Sequence, residues 1–171
     1  MTSLAPTRSA GAAPARGALP DLSFLLDHTS YVLRTKMTTA LAEIGMTPRT
    51  HCVLVKALEQ ERTQAQIAEL SDMDKTTMVV TVDALEKAGL AERRPSPTDR
   101  RARIIAVTPE GVAMAKRSQA IVDRVHGAAI DSLPEAARGI LIDALSSLAA
   151  GHLAMPGDSS AGVRRARQQQ Q

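Results

Sequence analysis

TQAQIAELSDMDKTTMVVTVDALEKAGLAERRPSPTDRRARIIAVTPEG, residues 63–111, changes its periodicity twice and thereby sets the fold. From Thr63, the apolar residues Ile67, Ala68 and Leu70 fit the inner face of a short helix that breaks at Ser71 and Asp72. A second helix starts after Asp74 and runs over about residues 75–88, with Met78, Val82 and Leu85 on its buried side. Gly89 closes it, because a left-handed residue ends a helix at little cost when it has no Cβ. The other side carries Thr76, Thr77, Val80, Thr81 and Ala84, which is short-chained and uncharged for a face turned to solvent. Beyond Gly89, two extended runs, 90–94 and 103–107, flank Pro95, Ser96, Pro97, Thr98 and Asp99, which predicts a hairpin. Residues 93–103 hold five arginines and one acid, a local charge of +4 that exceeds the +3 of the whole 171-residue chain.

Upstream, Asp21 can cap a long helix whose apolar positions, from Leu22 and Leu25 through Val32, Leu33, Met37, Leu41 and Ile44, follow three-and-four spacing up to Gly45. Thr47-Pro48 opens the next helix, with Val53, Leu54, Ala57 and Leu58 as its buried stripe and an end near Glu61. Downstream, Thr108-Pro109-Glu110 starts a long fifth helix, and Pro134 a sixth with Ile140, Leu141, Ala144, Leu145 and Leu148 in line. The expected fold is mostly α (α+β winged helix): six helices with a two-stranded β-wing. A winged helix-turn-helix DNA-binding lobe spans about 47–108, and a helical dimerisation lobe is built from about 21–45 and 109–153. The apolar stripes of the outer helices exceed what the small central module can cover, so a homodimer is expected. Residues 1–20 and 154–171 are rich in Ala, Gly, Ser, Arg and Gln and cannot bury enough surface to offset their ordering entropy, which predicts a disordered arm and tail.

Composition narrows the function classes. One Phe, one Tyr and no Trp leave no set of aromatic platforms for stacking single-stranded bases, whereas duplex DNA stays open. Cys52 is the single cysteine, which excludes an internal disulfide, and no Cys/His spacing suits zinc. There is no phosphate-binding loop, dinucleotide glycine pattern or nucleophile elbow. We therefore expect no enzyme activity, no catalytic or metal site and no cofactor. With no run of 18 apolar residues, a cytoplasmic protein without membrane contact is expected.

A short helix, a turn, a second helix ending in Gly and a basic hairpin follow the order of a winged helix-turn-helix. A helix can enter the major groove and a thin hairpin the narrower minor groove beside it. Lys75 can reach a phosphate, Thr76, Thr77, Val80 and Thr81 line the groove-facing side, and Arg94, Asp99, Arg100, Arg101 and Arg103 belong to the wing.

Residues 63–115 resemble the core of MarR-family regulators. The strongest likeness is DRRARIIAVTPEG, residues 99–111, which follows the family's Asp-x-Arg wing and the Thr-x-x-Gly that begins the next helix; LEKAGL, residues 85–90, accompanies it. The resemblance implies that Arg101 inserts into the minor groove, that Asp99 braces an Arg side chain, and that Thr76, Thr77 and Val80 face bases. Relatives often carry Arg where this chain has Val80, and Val can touch a thymine methyl but cannot donate to guanine. It also implies an effector site between the dimerisation helices and the DNA-binding lobe, for which His28, Tyr31, Thr50 and His51 are candidates. Peroxide-sensing relatives resemble one another in carrying their cysteine near the start of helix one, so Cys52, in helix two, reads as a packing residue. The expected function is a sequence-specific double-stranded DNA-binding transcriptional regulator, a ligand-responsive repressor on a palindromic operator. A non-specific architectural DNA binder and a redox regulator using Cys52 are the alternatives.

Overall fold

The computed structural model describes residues 20–154; the expectations for the terminal arm and tail fall almost wholly outside them. The elements are α1 (Leu22–Ala42), α2 (Pro48–Glu59), α3 (Gln64–Leu70), α4 (Lys75–Lys87), β1 (Ala91–Pro95), β2 (Arg103–Val107), α5 (Pro109–Asp131) and α6 (Glu135–Ala150). Side-chain oxygens that satisfy orphan N–H groups fix the starts of the first four helices. Asp21 caps α1, Thr47 and Thr50 form a reciprocal capping box on α2, Thr63 and Gln66 form another on α3, and Asp74 caps α4. The turn between α3 and α4 holds Asp72 at a φ of 48°, and Met73 donates its N–H back to the Ala68 carbonyl at 2.9 Å.

The chain divides into two compact units at Val122/Asp123. In the first, Leu41, Met46, Val53, Leu54, Ile67, Met78, Val82, Leu85 and Ile105 form one core, so the end of α1 belongs to the same packing as α2, α3, α4 and the wing. Full burial of each large aliphatic here contributes about 1.5–3 kcal/mol. Two residues expected in that core lie outside it: Leu58 and Leu70 are exposed, because each sits at the last turn of its helix, past the last residue that packs inward. The second unit contains the end of α5 and all of α6. There Arg138 pairs with Asp131 at 2.8 Å and donates to the Leu133 carbonyl, closing the turn around Pro134.

The hairpin pairs β1 with β2 antiparallel, with Arg93 opposite Ile105 and Pro95 opposite Arg103. A bridge from Thr63 to Ile104 adds a third edge contact that the periodicity did not announce, since one residue has no pattern. Ile105 also donates its N–H to the Arg62 carbonyl at 3.3 Å. At the tip, the buried Ser96 hydroxyl accepts the N–H groups of Thr98 and Asp99, so the Pro-rich turn is a folded loop.

Candidate nucleic-acid interface

The face of α4 is sorted by where its hydroxyls go. Asp74 accepts the Thr77 N–H at 2.9 Å and its hydroxyl at 2.6 Å. Those bonds, the Thr77 hydroxyl first, hold the Asp74 carboxyl below its ordinary value of 3.8. Thr81 is buried and donates its hydroxyl to the Thr77 carbonyl at 2.7 Å. The expectation that Thr81 faces a groove is corrected on this point, since the residue lies beside Met78, Val82 and Leu85 on the inner side. What remains outward is Lys75, Thr76, Val80 and Ala84, with Val80 63% exposed.

The basic run divides in the same way. Arg93 is withdrawn: its guanidinium pairs with Asp83 at 2.7 Å and with Glu86, and donates to Gln64 at 3.0 Å. Arg94 is exposed and paired with Glu92, a surface pair worth little in water. Asp99 accepts the backbone N–H of Arg101 at 2.9 Å, where an Arg side chain was expected; it shapes the loop that presents Arg101. Arg103 donates to the carbonyl of Arg100 at 2.9 Å. Among the described residues, Lys75, Arg100 and Arg101 have no ion-pair partner, so their charge is available to an anion. A cleft of about 490 Å³ brings the two basic groups together: Thr63, Gln64 and Ala65 line it with Lys75 of α4 and Arg101 and Arg103 of the wing.

The four effector candidates do not converge in this way. His28 stacks on Phe24 with ring centroids 5.5 Å apart, Tyr31 is exposed, and Thr50 is committed to its capping box. His51 is buried, with Nδ1 2.8 Å from the Ser118 hydroxyl. That hydroxyl donates to the Ala115 carbonyl at 3.0 Å, so Nδ1–H is the donor of the pair, which joins α2 to α5. Cys52 is half-buried and its thiol donates to Ser71 at 3.4 Å. Sequence reasoning passed over Arg93, Gln64 and Ser118. The one signal for Arg93 was the pair of acids Asp83 and Glu86, three residues apart on the preceding helix.

The sequence model described as MarR family matches residues 44–102, from the end of α1 to the base of β2. CouR from Rhodococcus jostii RHA1, solved with p-coumaroyl-CoA bound, is 34% identical with a TM-score of 0.67, covering 75% of this chain and 92% of that one. The chain belongs to the MarR family. A structure of the repressor CouR on a 23-mer DNA duplex is 28% identical with a TM-score of 0.69, over 75% of this chain and 92% of that one. A Thauera aromatica protein named for transcriptional regulation of its hcr operon is 36% identical over 105 residues. That match spans 61% of this chain and 63% of the relative's length. The winged-helix architecture read from the sequence is therefore that of MarR proteins, which are transcriptional regulators and not enzymes. No helix among the described residues is long and apolar enough to cross a membrane.

Proposed function

We propose that two copies of this chain bind a palindromic duplex operator, with α4 of each in a major groove and each wing tip in the adjoining minor groove, and that the protein represses transcription until a small molecule releases it. The observation that carries the reading is the shared cleft of Lys75, Arg101 and Arg103, which brings cations of the wing to the start of the helix that exposes Thr76 and Val80. Phosphate-binding cations beside a short-chained face are what groove entry needs. Lys75, Thr76, Val80, Arg100, Arg101 and Arg103 make up the interface, and Thr77, whose hydroxyl is held by Asp74, lies at its edge. Arg94 borders it, and Asp99 shapes the tip.

Dimerisation is supported within each unit by apolar side chains left in solvent: Leu22, Phe24 and Leu25 on α1, and Ile140, Leu141, Ile142 and Leu145 on α6. A lone chain has no use for such surfaces, and a twofold reader of palindromes has. The ligand response rests on the relative solved with p-coumaroyl-CoA, and the region of His28, Tyr31, Thr50 and His51 is where we would look for its counterpart.

Selection of duplexes from a random pool by the full chain tests the reading, followed by footprinting and sedimentation. A discrete palindrome protected by a dimer is expected. Uniform protection without sequence preference would assign the protein to architectural DNA binding, and a stable monomer would remove the twofold arrangement.

A further inference from the structure

We propose that Arg93 is a positioning residue, fastening the first strand of the wing to α3 and α4 and thereby setting the distance between the recognition helix and the wing tip. Of the five arginines in residues 93–103 it is the one turned inward, with its side chain 21% exposed. Four of the five guanidinium N–H groups are spent within the protein. Nε donates to Gln64 of α3 at 3.0 Å, Nη1 serves both Asp83 and Glu86 of α4, and Nη2 donates to the Val79 carbonyl of α4 at 3.2 Å. The backbone N–H of Arg93 donates to the other oxygen of Glu86 at 2.7 Å, so one carboxylate holds strand and side chain together. A planar fork can bridge three elements in this way, and an ammonium, a point charge on a flexible stem, cannot.

The location gives the tie its leverage. Arg93 lies opposite Ile105, and the loop begins beyond Pro95, so the loop starts about three residues, roughly 10 Å, past the anchor and the tip lies at least that far out. A tilt of ~10° at Arg93 moves the tip by ~2 Å, enough to take a 2.9 Å hydrogen bond out of range. The same bonds offset one of the two negative charges of Asp83 and Glu86 on the helix that carries Val79 and Val80, which lessens their repulsion of phosphate. Arg93 thus acts through the geometry and charge of its neighbours, with one guanidinium N–H left, too few for a bidentate base contact.

The inference rests on the proposed DNA-binding reading for its consequence, but its structural half can be tested without DNA. Spin labels at Thr98→Cys and Lys87→Cys, in a Cys52→Ser background, report the spacing between wing tip and helix in the full chain. A narrow distance distribution is expected in the parent and a broadened one in Arg93→Lys, with Gln64→Ala intermediate. If Arg93→Lys fails to fold, Gln64→Ala carries the decision alone. A parent-like distribution overturns the proposal. On duplexes selected by the parent, Arg93→Lys should bind roughly 5- to 150-fold more weakly, the range for loss of one specific contact, with an unchanged salt slope and loss of the minor-groove footprint only. A salt slope lowered by about one unit would make Arg93 a direct phosphate contact and overturn the positioning role. If the parent selects no duplex, the DNA-binding reading fails, while the distance measurement still decides the tie.

Discussion

Replacing Gly111 by Ala should destabilise this protein severely. A Cβ built there lies 2.0 Å from the Leu90 carbonyl oxygen, 2.7 Å from Val107 Cγ1 and 2.9 Å from the Leu90 carbonyl carbon. Carbon and oxygen approach to about 3.3 Å at best, so α5 or the start of β1 must move by more than 1 Å. That junction is bonded on several sides. The Leu90 carbonyl accepts the Thr108 N–H at 3.1 Å, the Thr108 hydroxyl donates to the Gly89 carbonyl at 2.8 Å, and Gly111 donates its own N–H to that hydroxyl at 3.0 Å. Overpacking costs about 1–3 kcal/mol and each broken hydrogen bond about 1 kcal/mol, against roughly 1 kcal/mol gained by Ala over Gly in a helix. With two bonds lost, the net cost is about 3 kcal/mol, and the melting temperature should fall by roughly 10 °C. Thermal melting followed by circular dichroism measures it. Gly127, further along α5 with nothing within 4 Å of an added Cβ, is the control, and Gly127→Ala should leave the melt unchanged or raise it. A Gly111→Ala protein melting within about 2 °C of the parent would refute the argument from close approach.

Arg101→Ala should weaken operator binding by about 1–3 kcal/mol and reduce the preference for A·T pairs at the operator flanks, whereas Lys75→Ala should weaken all duplexes alike and lower the salt slope by about one unit; titrations at several salt concentrations separate them. Val80→Arg supplies the donor that Val lacks and should shift selected half-sites from thymine towards guanine, while exchanging thymine for uracil should weaken the parent but not Val80→Ala. Asp74 has a folded-state pKa below its ordinary 3.8, so its contribution to stability is fully present above that value and is lost as pH falls through the folded value. The parent should therefore lose more melting temperature on acidification than Asp74→Asn, which caps equally well without titrating. Equal losses would show that the Asp74–Thr77 contact contributes nothing to the fold.

The sequence by itself determined the order of the elements and nearly all their boundaries. Those are local matters: Thr47, Thr63 and Asp74 cap their own helices, Gly89 takes a φ of 69°, and two short extended runs around a Pro-rich turn mark the wing. The DRRARIIAVTPEG run identified the family for the same reason, since loop, strand and next helix start follow one another directly in the chain. Which polar groups are free was decided only by the tertiary structure. Thr81 and Val80 are neighbours on one helix, and packing against the core buries the first and exposes the second. Arg93 and Arg101 are alike in composition and in charge count, but Asp83, Glu86 and Gln64 converge on the first from two helices and leave the second to solvent. Leu58 and Leu70 fit the apolar period of their helices and still lie outside the core, because a period gives the direction a side chain points and not where the opposing surface ends. Pairing across the fold depends on distance in space, which a residue's place in the chain does not encode.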